Sequence, residues 1–357
     1  MSRSEKILYV GPLFAGSTAL HRRDALLSLG CEVSSIDTAS PLGFGSNPGS
    51  WRWWLQRLYQ RSDFYFDWKR LRRQLLQAFR SEDWDVLWLD KALWIKPEVL
   101  KLLKKLQPNC RIVHYSPDDM FNPANQTKRY MEAISLYDLH VTTKTYNIEE
   151  LKGEGARAVF FVGNAYEPSI HRPMTLGQEE RKRFGCDVCF VGAYESERAK
   201  SIEKIAAAGV SVCLFGPWED LASRYSNVRC HTGFFADDDY AKALCAGKIG
   251  LGFLRKANRD LQTTRSIELP ACGVFMLAER TDEHLDLFEE GREAEFFSTD
   301  EELLQKVQLY LKDDSLRKRI AAAGRARCLS GGYSNAMRLK MVLEELVSRE
   351  MLHCGQA

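Results

Sequence analysis

Residues 6–36, KILYVGPLFAGSTALHRRDALLSLGCEVSSI, decide the fold of the first half of the chain. An apolar run, Ile7 to Val10, is followed by Ala19 to Leu29, where apolar side chains recur on one helical face until Gly30 stops the helix. A second strand pattern, Glu32 to Ile36, comes directly after it. Strand, helix and strand in this order predict a βαβ unit with two parallel strands.

The same alternation continues along the chain, because short apolar runs bounded by Gly, Pro or Asp recur between helical patterns. The predicted strands of the first half are Ile7 to Val10, Glu32 to Ile36, Val86 to Leu89, Arg111 to Tyr115, Leu139 to Thr142 and Ala158 to Phe161. Those of the second half are Val188 to Val191, Val210 to Phe215, Ile249 to Phe253 and Val274 to Ala278. The pattern predicts an α/β class with two doubly wound domains, whose ligands lie at the carboxyl ends of the strands, in a cleft.

A polar segment from Glu167 to Phe184 separates the two halves. It carries Pro168, Pro173 and Gly177 and has no sustained periodicity, which is typical of an interdomain linker. At 357 residues the chain is long enough for two domains. We therefore expect domains at residues 1–168 and 185–335, followed by a C-terminal helix and tail at 336–357.

The composition excludes several classes of protein. An apolar fraction of 45% with 27% charged residues excludes a mostly disordered chain. The net charge of +2 argues against nucleic acid as the main partner. The ten cysteines lack the regular spacing of a disulfide framework, and no run reaches the roughly 20 apolar residues of a membrane span. We expect a cytoplasmic protein, at most peripheral at the inner membrane face.

The sequence contains no convincing metal site. Cys186 and Cys189 form C-x-x-C in a predicted strand, where residues three apart point to opposite faces. No second cysteine pair, H-E-x-x-H, P-loop or clear D-x-D accompanies them. The acidic run Asp237 to Asp239 is typical of a helix start. We therefore expect no metal and no resident cofactor.

The segment most indicative of chemistry is TTRSIELPACG, residues 263–273, which runs into a predicted strand. Arg265 and Glu268 are three residues apart and share a face if the segment is helical. In a helix that opens at a ligand cleft, the cation can meet a diphosphate and the carboxylate can accept hydrogen bonds from ribose hydroxyls. The alternative is a surface ion pair that contributes less than about 1 kcal/mol.

Three motifs in this order carry a resemblance to a known family: RSIELPACG at 265–273, FEEGRE at 288–293 and EEL at 301–303. Their order and spacing resemble the C-terminal half of CgeB-like glycosyltransferases of the GT-B type, over about Cys186 to Leu343. The resemblance implies two facing Rossmann-like domains, an acceptor half and a donor half. It also implies transfer of a sugar from a nucleotide-diphosphate sugar, of UDP or GDP type, to a glycan, lipid-linked or protein acceptor. We expect this transfer to be metal-independent, because Arg265 and helix amides can stabilise the leaving diphosphate.

The resemblance also implies roles for individual residues. It places Glu268 near the ribose and Arg265 near the diphosphate. The family's strand, glycine turn and helix correspond to Val191 through Arg198, which include Gly192 and Tyr194. The candidate donor-site residues are Gly192, Tyr194, Arg198, Gly216, Arg265, Glu268, Asp282 and Glu283.

Two of these assignments have structural alternatives. Gly216 precedes Trp218, whose indole either stacks on a base or packs in the core. Asp282 and Glu283 either hold the hydroxyls of the donor sugar or belong to a solvated loop.

Two further segments belong to the predicted acceptor half. Asp118 and Asp119 follow the strand that ends near Tyr115, so either carboxylate is a candidate general base for an acceptor hydroxyl. The alternative for Asp118 is a cap of the next turn. Trp51 to Arg80 interleaves aromatic and basic residues, a pattern typical of an anionic membrane interface, of a carbohydrate-binding face, or of a helical pair packed on its domain.

Two other functions share this architecture. A nucleotide-sugar 2-epimerase binds the same donor and transfers nothing. A non-catalytic carbohydrate-binding protein would keep the fold without turnover. The second alternative stays open because Gly332 to Asn335 stands where the family often has a His.

Overall fold

The computed structural model describes residues 4–39, 67, 69–233, 235 and 237–349. The chain divides into two compact units. The first comprises Met1–Gly163 with Asn335–Ala357, and the second comprises Asn164–Ser334. The second unit is therefore inserted into the sequence of the first, and its beginning precedes the predicted limit at residue 168.

The first unit is built on a six-stranded parallel sheet of order β2-β1-β3-β4-β5-β6. Its elements are β1 Lys6–Gly11, α1 Thr18–Ser28, β2 Glu32–Asp37, α2 Leu71–Ser81, β3 Val86–Asp90, α3 Pro97–Leu106, β4 Arg111–Ser116, α4 Lys128–Ala133, β5 Leu139–Thr142, α5 Asn147–Gly153 and β6 Val159–Phe161. The six predicted strands of this half are all present.

Both faces of this sheet are covered, which explains why its strands are continuous apolar runs. Leu8 and Val10 of β1 belong to one hydrophobic core, and Ile7 and Tyr9 belong to the core on the other face. The second core also contains the C-terminal helix described below.

The second unit is built on another six-stranded parallel sheet, of order β12-β11-β10-β7-β8-β9. Its elements are α6 Gln178–Phe184, β7 Cys186–Val191, α7 Ser196–Ala207, β8 Val212–Phe215, α8 Glu219–Arg224, β9 Val228–His231, α9 Asp237–Cys245, β10 Gly247–Gly252, α10 Arg265–Ala271, β11 Phe275–Glu279, α11 Asp282–Leu287, β12 Glu295–Phe297, α12 Asp300–Lys312 and α13 Asp314–Ser330.

The C-terminal helix, α14 Asn335–Ser348, belongs to the first unit. Its buried side chains Leu339, Val342 and Leu346 pack in one core with Ala25 and Leu26 of α1. The C-terminal helix, predicted within residues 336–357, therefore packs on the domain that begins the chain.

The described part of the chain contains two strands that the sequence pattern does not predict. β9 is an edge strand in which only Val228 is buried, so its sequence shows no apolar run. β12 has three residues and begins with Glu295, a buried carboxylate that accepts a hydrogen bond from the Tyr310 hydroxyl at 2.6 Å. A short edge strand and a buried charge both obscure the pattern.

The predicted linker is partly ordered within the second unit. It contains α6, which ends at Phe184. The backbone N–H of Tyr166 donates to the carbonyl of Tyr333 at 3.1 Å, so the two ends of the second unit lie side by side.

Candidate functional site

The order of the second sheet defines one position for a ligand. Strands β7, β8 and β9 extend to one side and β10, β11 and β12 to the other, so the winding reverses between β7 and β10. In such sheets ligands bind beyond the carboxyl ends of the strands at this reversal. Here these ends lead into Gly192 and Phe253.

Two glycines after neighbouring strands bring the backbone together at this edge. Gly216 has φ of 138°, and a Cβ there would lie 2.4 Å from the carbonyl oxygen of Gly192. The Trp218 indole N–H donates to the same carbonyl at 2.9 Å and is fully buried against Phe190. Trp218 therefore packs in the core and is not available to a base. Tyr194 remains 47% exposed, with its ring 5.0 Å from that of Trp218.

Arg198 lies in the first turn of α7 and is 8% exposed. Its Nη1 donates to the Ala193 carbonyl at 3.1 Å, and Nη2 lies 3.4 Å from a carboxylate oxygen of Glu195. Its Nε is buried and, among the described residues, has no hydrogen-bond partner. Burial lowers the pKa of Arg198, although an arginine remains charged. A buried guanidinium with an unsatisfied N–H is suited to an anion.

Arg198 lines a cavity of 390 Å³ at the carboxyl ends of β7, β10, β11 and β12. Lys256 and Glu279 also line it and form an ion pair at 2.5 Å. Glu279 accepts a second hydrogen bond from the Leu254 amide at 2.8 Å, which fixes the loop after β10. The cavity therefore has ordered walls that carry both cations and carboxylates in equal number.

A second cluster surrounds Glu268, which is 4% exposed. Its Oε2 accepts hydrogen bonds from the Tyr240 hydroxyl at 2.5 Å and from Arg265. The His171 Nε2 lies 3.5 Å from Oε1. Because the Glu167 amide donates to His171 Nδ1 at 2.8 Å, the neutral ring carries its proton on Nε2, towards the carboxylate.

The structure thus brings Arg265 and Glu268 together, as their spacing predicts. The pair is more buried than a surface ion pair, with side-chain exposures of 20% and 5%. The Arg265 guanidinium also lies 5.1 Å from the centre of the Tyr240 ring. Sequence reasoning missed Tyr240 and His171, because one follows an acidic helix start and the other lies in the predicted linker.

Asp282 and Glu283 are the first two residues of α11. The Thr281 hydroxyl caps this helix by accepting from the His284 amide at 3.1 Å. Asp282 is exposed, and Glu283 accepts from the Gln262 side chain at 2.9 Å. Acidic residues in a first turn are favoured by the helix dipole, so this geometry favours a structural role over sugar binding.

The predicted catalytic carboxylates lie in the first unit and differ in environment. Asp119 is 1% exposed, and its Oδ1 accepts from the Phe121 amide and the Asn147 side chain, both at 3.0 Å. This favours a role in holding the turn after β4. The Asp118 side chain is 24% exposed and forms an ion pair with Lys91, a non-glycine residue with φ of 50°.

The described residues contain no cluster of three His, Cys, Asp or Glu side chains arranged to hold a metal ion. None of the helices in the described ranges is long and apolar enough to cross a bilayer. Of the segment Trp51 to Arg80, residues 51–66 and Trp68 lie outside the described residues, and the remainder contains most of α2.

Residues 198–344 match the model of the family described as glycosyl transferase-like. No curated protein matches the chain in sequence.

Solved structures resemble the whole chain. The sucrose-phosphate synthase of Thermosynechococcus elongatus is 14% identical, with a TM-score of 0.62 over 97% of this chain and 100% of that one. Anabaena HepE, solved with UDP and glucose, is 13% identical, with a TM-score of 0.62 over 96% and 100%. A provisional UDP-N-acetylglucosamine 2-epimerase of Listeria monocytogenes is 12% identical, with a TM-score of 0.59 over 99% of each chain.

At these identities the structural likeness shows the fold, which is GT-B, with two Rossmann-like units as predicted. The family match covers most of the second unit and does not extend to the CgeB-like subtype. Residues 198–344 therefore match the glycosyl transferase-like family, and the chain is a glycosyltransferase with a GT-B fold.

Proposed function

We propose that the second unit binds a nucleotide-diphosphate sugar and that the enzyme transfers its sugar to an acceptor bound by the first unit. The observation that carries this proposal is the pair of cations, Arg198 and Arg265, each in the first turn of a helix on the carboxyl side of the sheet. They flank the reversal between β7 and β10, where Rossmann-like sheets bind nucleotides. The motifs at 265–303 support the CgeB-like subtype.

Each residue has a distinct role in this proposal. As the bond to the sugar breaks, negative charge grows on the leaving diphosphate, and the Arg198 Nε–H and the Arg265 guanidinium stabilise it. Glu268, held by Tyr240 and His171, accepts hydrogen bonds from the ribose. The exposed ring of Tyr194 is the stacking surface for the base.

Asp118 is the proposed general base for the acceptor hydroxyl if the reaction inverts configuration. It is the more accessible of the two predicted carboxylates, and the ion pair with Lys91 orients it. The buried hydrogen bonds of Asp119 suit it less to this role, because proton transfer would break them.

UDP is the first nucleotide to test, because Anabaena HepE, a protein of the same fold, was solved with it. A thermal-shift comparison of UDP, GDP, ADP, CMP and dTDP identifies the base. At about 100 times Kd a ligand stabilises the fold by about 2.7 kcal/mol, which raises Tm by roughly 5–10 °C for a unit of this size.

Variants connect that shift to the site. Arg198→Gln and Glu268→Gln should abolish most of the nucleotide-induced increase in Tm. The control variants Arg319→Gln and Glu289→Gln, at exposed positions of the same unit, should keep the full increase. A full increase in Tm for Arg198→Gln and Glu268→Gln, or no increase in Tm of the wild type with any nucleotide, would contradict the proposal. Incubation with the donor sugar alone tests the 2-epimerase alternative, which predicts an epimerised product without acceptor.

We also propose peripheral contact of the first unit with an anionic membrane. Arg72, Arg73 and Arg80 are exposed on α2, and this helix contains no acidic residue. Clustered arginines are attracted to anionic lipids. Sedimentation with phosphatidylglycerol vesicles should exceed that with phosphatidylcholine vesicles, and replacing the three arginines with Gln should remove the difference. Equal sedimentation with both lipids would refute the proposed contact.

A further inference from the structure

The first unit contains a cavity of 600 Å³ that the donor chemistry does not use. It lies where α2 begins, beside the loop from β3 to α3 and the first turn of α4. Its volume is in the usual range of small-molecule sites. The loop that lines it leaves the carboxyl end of β3, the edge at which parallel sheets bind ligands.

The buried part of the lining of this cavity is apolar. Leu71, Leu75, Ile95 and Val99 are buried and belong to the hydrophobic core of the unit, so they form a fixed floor. Leu102 and Trp94 are partly buried and complete the walls. The aliphatic side chains offer no hydrogen-bonding group, so this floor does not suit a sugar ring.

The rim of the cavity is charged, with cations in excess. Arg72, Lys96 and Arg129 line it, and none of the described carboxylates pairs with Arg72 or Lys96. Two acids also line it. The Asp67 carboxylate accepts from the α2 backbone amides at 2.6 and 3.0 Å, so it caps this helix. Glu98 is exposed in the first turn of α3.

We propose that this cavity, lined by Leu75, Val99 and Leu102 and rimmed by Arg72 and Lys96, binds a lipid phosphate, with the hydrocarbon tail inside and the phosphate at the rim. An apolar interior beside a cationic edge matches a molecule that separates the same two chemistries. The inference rests on the proposed function, because it makes the acceptor lipid-linked. It does so through residues that the donor site does not share.

Isothermal titration calorimetry of the full-length protein, without nucleotide, tests the proposal. It measures the affinities for farnesyl phosphate, farnesol and inorganic phosphate. Farnesyl phosphate should bind at least about tenfold more tightly than farnesol, because the rim adds charge-assisted hydrogen bonds. Inorganic phosphate should not compete at equal concentration. Equal binding of farnesyl phosphate and farnesol, or competition by inorganic phosphate, would overturn the assignment.

Matched variants locate the ligand. Leu102→Trp places an indole in the cavity and should weaken the binding of farnesyl phosphate at least about tenfold, because the indole occupies the space of the hydrocarbon tail. Leu106→Trp, one turn along α3 and outside the cavity, should have no effect. Lys96→Gln should weaken the binding of farnesyl phosphate and leave the binding of farnesol unchanged. Lys105→Gln should change neither affinity. Unchanged affinity in Leu102→Trp would refute the site.

The outcome is independent of the donor proposal. Leu102→Trp should keep the full thermal shift with the nucleotide that the wild type binds. If farnesyl phosphate binds as expected and no nucleotide does, the cavity assignment stands and the donor proposal fails. If a nucleotide binds and farnesyl phosphate does not, the donor proposal stands and the cavity assignment fails.

Discussion

Acidification should destabilise the first unit through His140. This side chain is buried beside Tyr137, Tyr130 and His114, with ring centres 5.0 to 6.1 Å away, and its Nε2 donates to the Ile134 carbonyl at 2.9 Å. Burial lowers the pKa of His140 to about 4, against a partial increase from the backbone hydrogen bond. The unfolded chain, with an ordinary histidine pKa near 6.5, therefore binds the proton first as the pH falls.

The sign and size follow from linkage. Because the folded pKa is depressed, the stability that this group contributes is full above about pH 6.5 and is lost as the pH falls towards 4. With 1.36 kcal/mol per pKa unit, the loss from His140 alone reaches about 2 kcal/mol at pH 5. The pKa of His114, also lowered mainly by burial, adds to the loss in the same direction.

Urea unfolding at pH 7.5 and pH 5.0, followed by circular dichroism, measures this loss. His140→Gln keeps an N–H donor near the Ile134 carbonyl and cannot be protonated. Its decrease in unfolding free energy between the two pH values should be smaller than that of the wild type by about 2 kcal/mol. An identical decrease in both proteins would refute the reasoning, since another group would then carry the titration.

Gly216→Ala should lower the free energy of unfolding by about 2 kcal/mol or more, because the added Cβ meets a carbonyl at 2.4 Å and the residue has positive φ. Gly209→Ala shares only the positive φ, 81°, with nothing near its Cβ, and should cost about 1 kcal/mol in the same urea titration. Equal losses would show that the close approach is unimportant. Asp118→Asn should reduce transfer at least about 100-fold without changing the nucleotide-induced Tm shift, and Asp119→Asn should lower Tm through its lost buried hydrogen bonds. Sugar transfer at the wild-type rate by Asp118→Asn would remove it as the base.

The strands in the middle of each sheet are predictable from the sequence because both their faces are buried. Ile7 to Val10 and Val86 to Leu89 have no polar residue to interrupt the run. The edge strands at Val228 and Glu295 are not predicted, since only one residue of the first is buried and the second begins with a buried carboxylate. The local sequence pattern therefore predicts which strands are buried better than it predicts which strands pair.

The candidate site is only partly predictable for a related reason. The spacing of Arg265 and Glu268 is a local property of one helix, so the sequence predicts their contact. Tyr240 and His171 reach the same carboxylate from distant positions in the chain, and no periodicity relates them. Nor does the sequence distinguish Asp118 from its neighbour, because the ion pair with Lys91 depends on the packing of β3 against β4.

The hydrogen bond between Tyr166 and Tyr333 has a practical consequence for protein engineering. Because the two ends of the second unit lie side by side, we expect residues 164–334 to fold as a separate domain when expressed alone. The first unit would then consist of the fragments 1–163 and 335–357, and we expect a short peptide linker to rejoin them, since α14 packs on α1. Deleting the chain after residue 334 would instead remove α14 from the first unit and leave the second unit intact.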